Sequence, residues 1–118
     1  MVEIGDLVEY RGGISGWYGK PFTVVSKSNY GRDVWMCMRN GMSYSKPFKL
    51  EDIKPMEIRP KFLPGNLVQI KRANYQYDAS IGIVLKSNQM GSIVRYADNY
   101  MNGHASAFIP NSKLKEIK

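Results

Sequence analysis

Cysteine and histidine are almost missing from this chain: Cys37 and His104 are the sole residues of their types. A single thiol cannot form an internal disulfide, and one Cys with one His cannot complete a zinc tetrahedron. Nucleophilic catalysis needs a nucleophile within reach of a base, and the only Cys/His pairing on offer is Cys37 with His104. Cys37 lies in the apolar run Val34-Trp35-Met36-Cys37-Met38, where a free cysteine behaves as a small hydrophobe. No apolar run approaches eighteen residues, so a membrane-spanning helix is excluded. The opening Met1-Val2-Glu3-Ile4-Gly5-Asp6 has neither a basic start nor an apolar stretch, and no secretory signal is expected. The Gly-rich stretch lacks Gly-Lys-[Ser/Thr], which removes a Walker-type phosphate loop. Together these absences predict a cytoplasmic protein that is not an enzyme, with no catalytic residues, no metal and no cofactor.

The chain does have apolar material and positive charge. Apolar residues make up 43% of its 118 residues, enough to bury a core, and 17 Lys+Arg against 10 Asp+Glu leave a formal charge of +7. The length suits one ordinary domain or two very small ones. Internal repetition favours two. Gly5-Asp6-Leu7-Val8 returns as Gly65-Asn66-Leu67-Val68, Val25-Ser26-Lys27-Ser28-Asn29 as Val84-Leu85-Lys86-Ser87-Asn88, and Lys49-Leu50-Glu51-Asp52-Ile53-Lys54 as Lys113-Leu114-Lys115-Glu116-Ile117-Lys118. The matches keep their order and drift by only a few residues, as insertions in loops allow.

Residues 1–54 and 62–118 are therefore predicted to be similar modules. They are joined by Pro55-Met56-Glu57-Ile58-Arg59-Pro60-Lys61 (residues 55–61), a linker stiffened by its two prolines. Short apolar runs at 7–10, 22–25 and 34–38 recur at 67–70, 81–85 and 93–96, separated by Gly, Asn, Ser and Pro at hairpin spacing. The segments 49–53 and 112–117 suit one short helical turn each. The pattern predicts an all-β chain of two tandem barrels, each closing its own edges. Val8, Tyr10, Val24, Ile53, Val68, Ile70, Ile83, Leu85 and Ile117 are expected in the cores.

The opening of the first module, Val8-x-Tyr10 followed by Gly12-x-x-x-Gly16-x-x-Gly19-Lys20 and an apolar strand from Phe22, resembles a KOW motif. In the second module the matching loop 71–80 has no glycine before Gly82. Over nearly the whole chain, the Gly-[Asp/Asn]-Leu-Val opening and the Leu-x-[Asp/Glu]-Ile closing segment resemble SH3-like (KOW/Tudor-like) barrels. They are also similar to small SH3-like proteins of tailed bacteriophages. The resemblance implies binding without catalysis, to RNA, nucleic-acid-bound machinery of the transcription or ribosome type, or another protein. It places the protein in the cytoplasm, or in host cytoplasm or a virion if it is of bacteriophage type.

Two residue sets are candidate binding sites. The first-to-second-strand loops combine cations and aromatics: Arg11, Trp17, Tyr18 and Lys20 in one module, Lys71, Arg72, Tyr75 and Tyr77 in the other. Lys and Arg there would contact phosphate while the aromatic faces stack on bases. The alternative is a protein-binding adaptor using Trp35, Met36, Met38 and Met42, since methionine adapts to irregular partners and tryptophan is frequent at interface hot spots. Alternation puts Trp35 and Cys37 on one face of their strand, Met36 and Met38 on the other.

Overall fold

A computed structural model describes residues 1–71, 81–98 and 103–117. The chain is all-β and divides into two compact units, Met1–Ile58 and Arg59–Lys118. The first holds β1 (Leu7–Tyr10), β2 (Pro21–Lys27), β3 (Val34–Met38), β4 (Lys46–Lys49) and β5 (Ile53–Pro55). The second holds β6 (Leu67–Ile70), β7 (Ile81–Ser87), β8 (Gly91–Asp98), β9 (Gly103–Pro110) and β10 (Leu114–Glu116). Among the described residues each unit forms one five-stranded antiparallel sheet, in the order β4-β3-β2-β1-β5 and, identically wound, β9-β8-β7-β6-β10. A 3-10 turn precedes the last strand of each, at Leu50–Asp52 and Asn111–Lys113.

Among the described residues neither sheet closes on itself, contrary to the expectation of sealed barrel edges. Proline contributes to this: Pro47 lies within the edge strand β4, Pro55 ends the edge strand β5 and Pro110 ends β9. Proline has no N–H to give to a further strand, so such edges stay unpaired.

Backbone hydrogen bonds fix how the two units correspond. Asp6 Oδ2 accepts from the Glu3 N–H and Asn66 Oδ1 from the Leu63 N–H, both at 2.9 Å. Either side chain offers the oxygen, which is why Asp and Asn interchange here. Gly5 and Gly65, immediately before them, have φ of 96° and 91°, a left-handed turn that favours glycine, and donate to the carbonyls of Val24 and Val84, both at 2.7 Å. Both second strands carry a bulge immediately afterwards, at Val24/Ser26 and Val84/Lys86. The last strands match through Ile53 opposite Tyr10 and Leu114 opposite Ile70.

True correspondence is therefore Val24 with Val84 and Ile53 with Leu114, not the pairs suggested by the sequence matches. A one-residue slip sends a strand's side chains to the opposite face. Val8, Tyr10, Val24, Ile53, Val68 and Ile70 are buried as expected. Ile83 (43% exposed), Leu85 (45%) and Ile117 (38%) are not, and their expected core places are corrected. On β7 the inward residues are Gly82 and Val84, while Ile117 follows the last strand and donates its N–H to the Leu67 carbonyl.

The first core gathers Val2, Val8, Tyr10, Phe22, Val24, Cys37, Phe48 and Ile53. The second gathers Phe62, Val68, Ile70, Val84, Val94, Tyr96, Ile109 and Leu114. Phe22 and Gly82 occupy the same place, each opposite the middle of the first strand (Val8, Val68). The aromatic that β7 lacks comes instead from Tyr96, directly across from Gly82 on β8. The ring therefore sits one strand over from the place that Phe22 holds in the first unit.

Beneath the second sheet's far end lies a buried polar network. The Ser92 hydroxyl donates to Asn111 Oδ1 (2.7 Å) and lies 2.9 Å from the Ser87 hydroxyl, and Asn111 Nδ2 donates to the Asn88 carbonyl (2.8 Å). Ser87 Oγ accepts from the Lys61 and Phe62 N–H groups, each at 3.3 Å, and Gln89 Oε1 accepts from the Arg59 N–H (2.9 Å). The start of the unit is thus held to the β7–β8 turn. Among the described residues no buried side-chain polar atom lacks a partner, the condition under which such a network stabilises rather than weakens a core.

Candidate nucleic-acid interface

In an antiparallel sheet the β1–β2 and β3–β4 connections fall at the same end. In the first unit that end carries residues 11–20 and 39–45. The first of these loops is pinned from below. Tyr10 Oη accepts from the Ile14 N–H (3.2 Å), the Gly19 N–H donates to the Tyr10 carbonyl (2.8 Å), and the Arg11 N–H donates to the Asp52 carbonyl (2.7 Å). Successive turns follow, with Trp17 N–H to Ile14 carbonyl (3.1 Å) and Lys20 N–H to Trp17 carbonyl (3.0 Å).

These turns lay Trp17 over the core mouth. Its ring meets Tyr10 at 6.3 Å and Phe22 and Phe48 each at 5.7 Å, all steeply inclined, the arrangement aromatic quadrupoles favour. Trp17 is half-buried, so most of its ring closes the core rather than awaiting a base. Tyr18 is exposed, with the Arg11 guanidinium 5.8 Å from its ring centre. Arg11 is also ion-paired with Glu9, whose hydrogen bond and charge hold its pKa above the ordinary guanidinium value. Lys20 is exposed at the end of the same loop.

The β3–β4 connection adds residues that the sequence reading did not select. Arg39 lies 5.7 Å from the Phe22 ring centre, and Lys46 lies 4.6 Å from that of the exposed Tyr44. Their signal was available: Gly41, with φ of 92°, marks a turn that returns the chain to the end where residues 11–20 sit. The result is four cations (Arg11, Lys20, Arg39, Lys46) and two exposed tyrosines at one end of one sheet. Glu9 offsets part of that charge.

In the second unit Lys71 is exposed and its Nζ reaches the Ser112 carbonyl (3.4 Å), while its N–H donates to the Lys113 carbonyl. Arg72, Tyr75 and Tyr77 lie outside the described residues, as does the segment 99–102.

The set Trp35, Met36, Met38 and Met42 does not gather into one patch. Met42 and Trp35 pack partly against the first core, with Lys27 Nζ 5.4 Å from the Trp35 ring, whereas Met36 and Met38 alternate to the other side. Cys37 is fully buried, and desolvation pushes its thiol up to about 12, which keeps it protonated and unreactive at neutral pH. Among the described residues no three His, Cys, Asp or Glu side chains cluster to hold a metal, and no helix is long and apolar enough to cross a membrane. No family model matches the chain, and no curated protein sequence matches it.

Proposed function

We propose that the protein is a non-enzymatic binding protein of two SH3-like modules, and that it contacts nucleic acid or a nucleoprotein complex through the loop end of its first unit. The observation that carries this reading is the convergence of Arg11, Lys20, Arg39 and Lys46 with Tyr18 and Tyr44. Cations at that density neutralise phosphate and release counterions, and sequence-tolerant aromatic faces accept bases. Trp17 serves as the floor of the site, holding the loop rather than stacking.

Fluorescence anisotropy with short single- and double-stranded oligonucleotides at two salt concentrations tests the proposal. Binding should weaken with salt. Arg39→Glu and Lys46→Glu should each flatten the log–log salt slope by about 0.7 on single strands or about 0.9 on duplex. Failure to bind either oligonucleotide at low salt sinks the reading.

A further inference from the structure

The second sheet leaves an apolar strip on the face turned away from its core. Leu67, Ile81, Ile83 and Leu85 are each more than 40% exposed, and they are neighbours: Leu67 stands opposite Ile83, and Ile81, Ile83 and Leu85 alternate along β7. A shallow groove of about 430 Å³ lies over part of this face, lined by Leu67, Ile81 and Ile83, by Arg95 and Ala97 on β8, and by His104 on β9. Soluble proteins usually cover such contiguous apolar surface.

Among the described residues, charge on the two flanks is of one sign. Arg95 stands opposite Ile83 on one side, and Lys115 stands opposite Gln69 on the other, with exposed Lys71 at the end of β6. Glu116 pairs with Val68 and so belongs to the opposite face. The flanks lie on β8 and β10, three strand spacings apart across β7 and β6. At about 4.8 Å per spacing that is about 14 Å, close to the 10–12 Å diameter of an α-helix with its side chains.

We infer that this face docks an amphipathic helix of a partner protein, with an apolar stripe on Leu67, Ile81, Ile83 and Leu85 and acidic residues on both sides of it meeting Arg95 and Lys115. A second copy of this chain fits poorly, because a two-fold contact would set the same cations against each other. A bilayer fits less well than a helix, because Leu67, Ile81 and Ile83 lie in a groove beside the long Arg95 side chain and not at a protruding tip.

The test uses the full chain and a labelled eighteen-residue peptide built from Leu, Ala and Glu, with Leu at helical spacing and Glu on both flanks of the stripe. Two control peptides carry Lys for Glu or Ser for Leu, and vesicles containing phosphatidylglycerol form a further arm. The Leu/Glu peptide should bind and both controls should bind at least about tenfold more weakly. Ile83→Ser and Arg95→Glu, both at exposed positions, should each weaken it by about tenfold or more, as expected for anchors at the centre of an interface. Oligonucleotide binding at the first unit should stay unchanged, which separates this site from the one proposed above. Equal binding by the variants, preference for the Lys-flanked peptide, binding to vesicles alone, or a dimer abolished by Ile83→Ser would each overturn the inference.

Discussion

Gly82→Ala should destabilise the second unit, although it adds a single methyl group to a strand. Gly82 is buried, and a Cβ there would collide with Val94 Cγ1 and stand 3.0 Å from the Arg95 carbonyl oxygen. Relaxed carbon–carbon contacts need about 3.5–4.0 Å. Val94 is fully buried, and the carbonyl belongs to the β7–β8 ladder, so neither neighbour can step aside freely. Overpacking of this kind costs about 1–3 kcal/mol. For a cooperative unit of 60–100 residues, each kcal/mol lowers Tm by about 4–8 °C. Thermal unfolding followed by circular dichroism measures it, read as two transitions if the units melt separately. Ile83→Thr is the control: it keeps a β-branched side chain at an exposed site and should stay within about 0.5 kcal/mol. Adding Val94→Ala to Gly82→Ala should recover at least about 0.5 kcal/mol relative to additivity, because the colliding methyl is gone. If Gly82→Ala were as stable as the parent, or Ile83→Thr the costlier change, the inward phase assigned to β7 would be wrong.

Alkaline stability should depend on Cys37. Burial raises its folded pKa from 9.0 to about 12, so the folded state holds the proton more tightly than the unfolded state. Stability should fall as pH rises from about 9 towards about 12, and Cys37→Ala should remove that part of the slope in urea titrations at stepped pH. Trp17→Ala and Tyr18→Ala should separate floor from contact. The first should lower the melting temperature through lost ring packing, whereas the second should leave stability within about 0.5 kcal/mol and weaken single-strand binding by about 1–3 kcal/mol. The reverse pattern would show that Trp17 is the stacking residue.

The all-β character and the six strands β1, β2, β3, β6, β7 and β8 were legible because apolar runs between turn residues identify strands locally. The edge strands were not. β4 reads Lys-Pro-Phe-Lys and β5 Ile-Lys-Pro, each too short to alternate visibly and each containing proline. Register was harder still. The recurring Val-x-Lys-Ser-Asn letters aligned Val25 with Val84, whereas the hydrogen bonds from Gly5 and Gly65 align Val24 with Val84. Residue identity at exposed or bulged positions carries no packing constraint, so a chance resemblance there outweighed the true one. The substitution of Phe22 by Gly82 hid the match further, since its compensation by Tyr96 lies on another strand. Half of the candidate site, Arg11, Tyr18 and Lys20, stood out as an aromatic and basic cluster within one loop. Arg39, Tyr44 and Lys46 reach it only through the hairpin geometry of β3 and β4.

Strand order also sets a timetable for synthesis. The first sheet is complete once Pro55 is made, because β5 pairs with β1 near the start. The second sheet cannot be completed until β10 arrives at 114–116 to flank β6, which was made from residue 67 onward. At about 5–20 residues per second, the 46 further residues from Ile70 to Glu116 take about 2–9 s. Throughout that interval β6 lacks its outer neighbour while the first unit already has all five of its strands. The second unit therefore spends that time unfinished beside a finished first unit, and it is the unfinished one that lines up Leu67, Ile81, Ile83 and Leu85 along one exposed face.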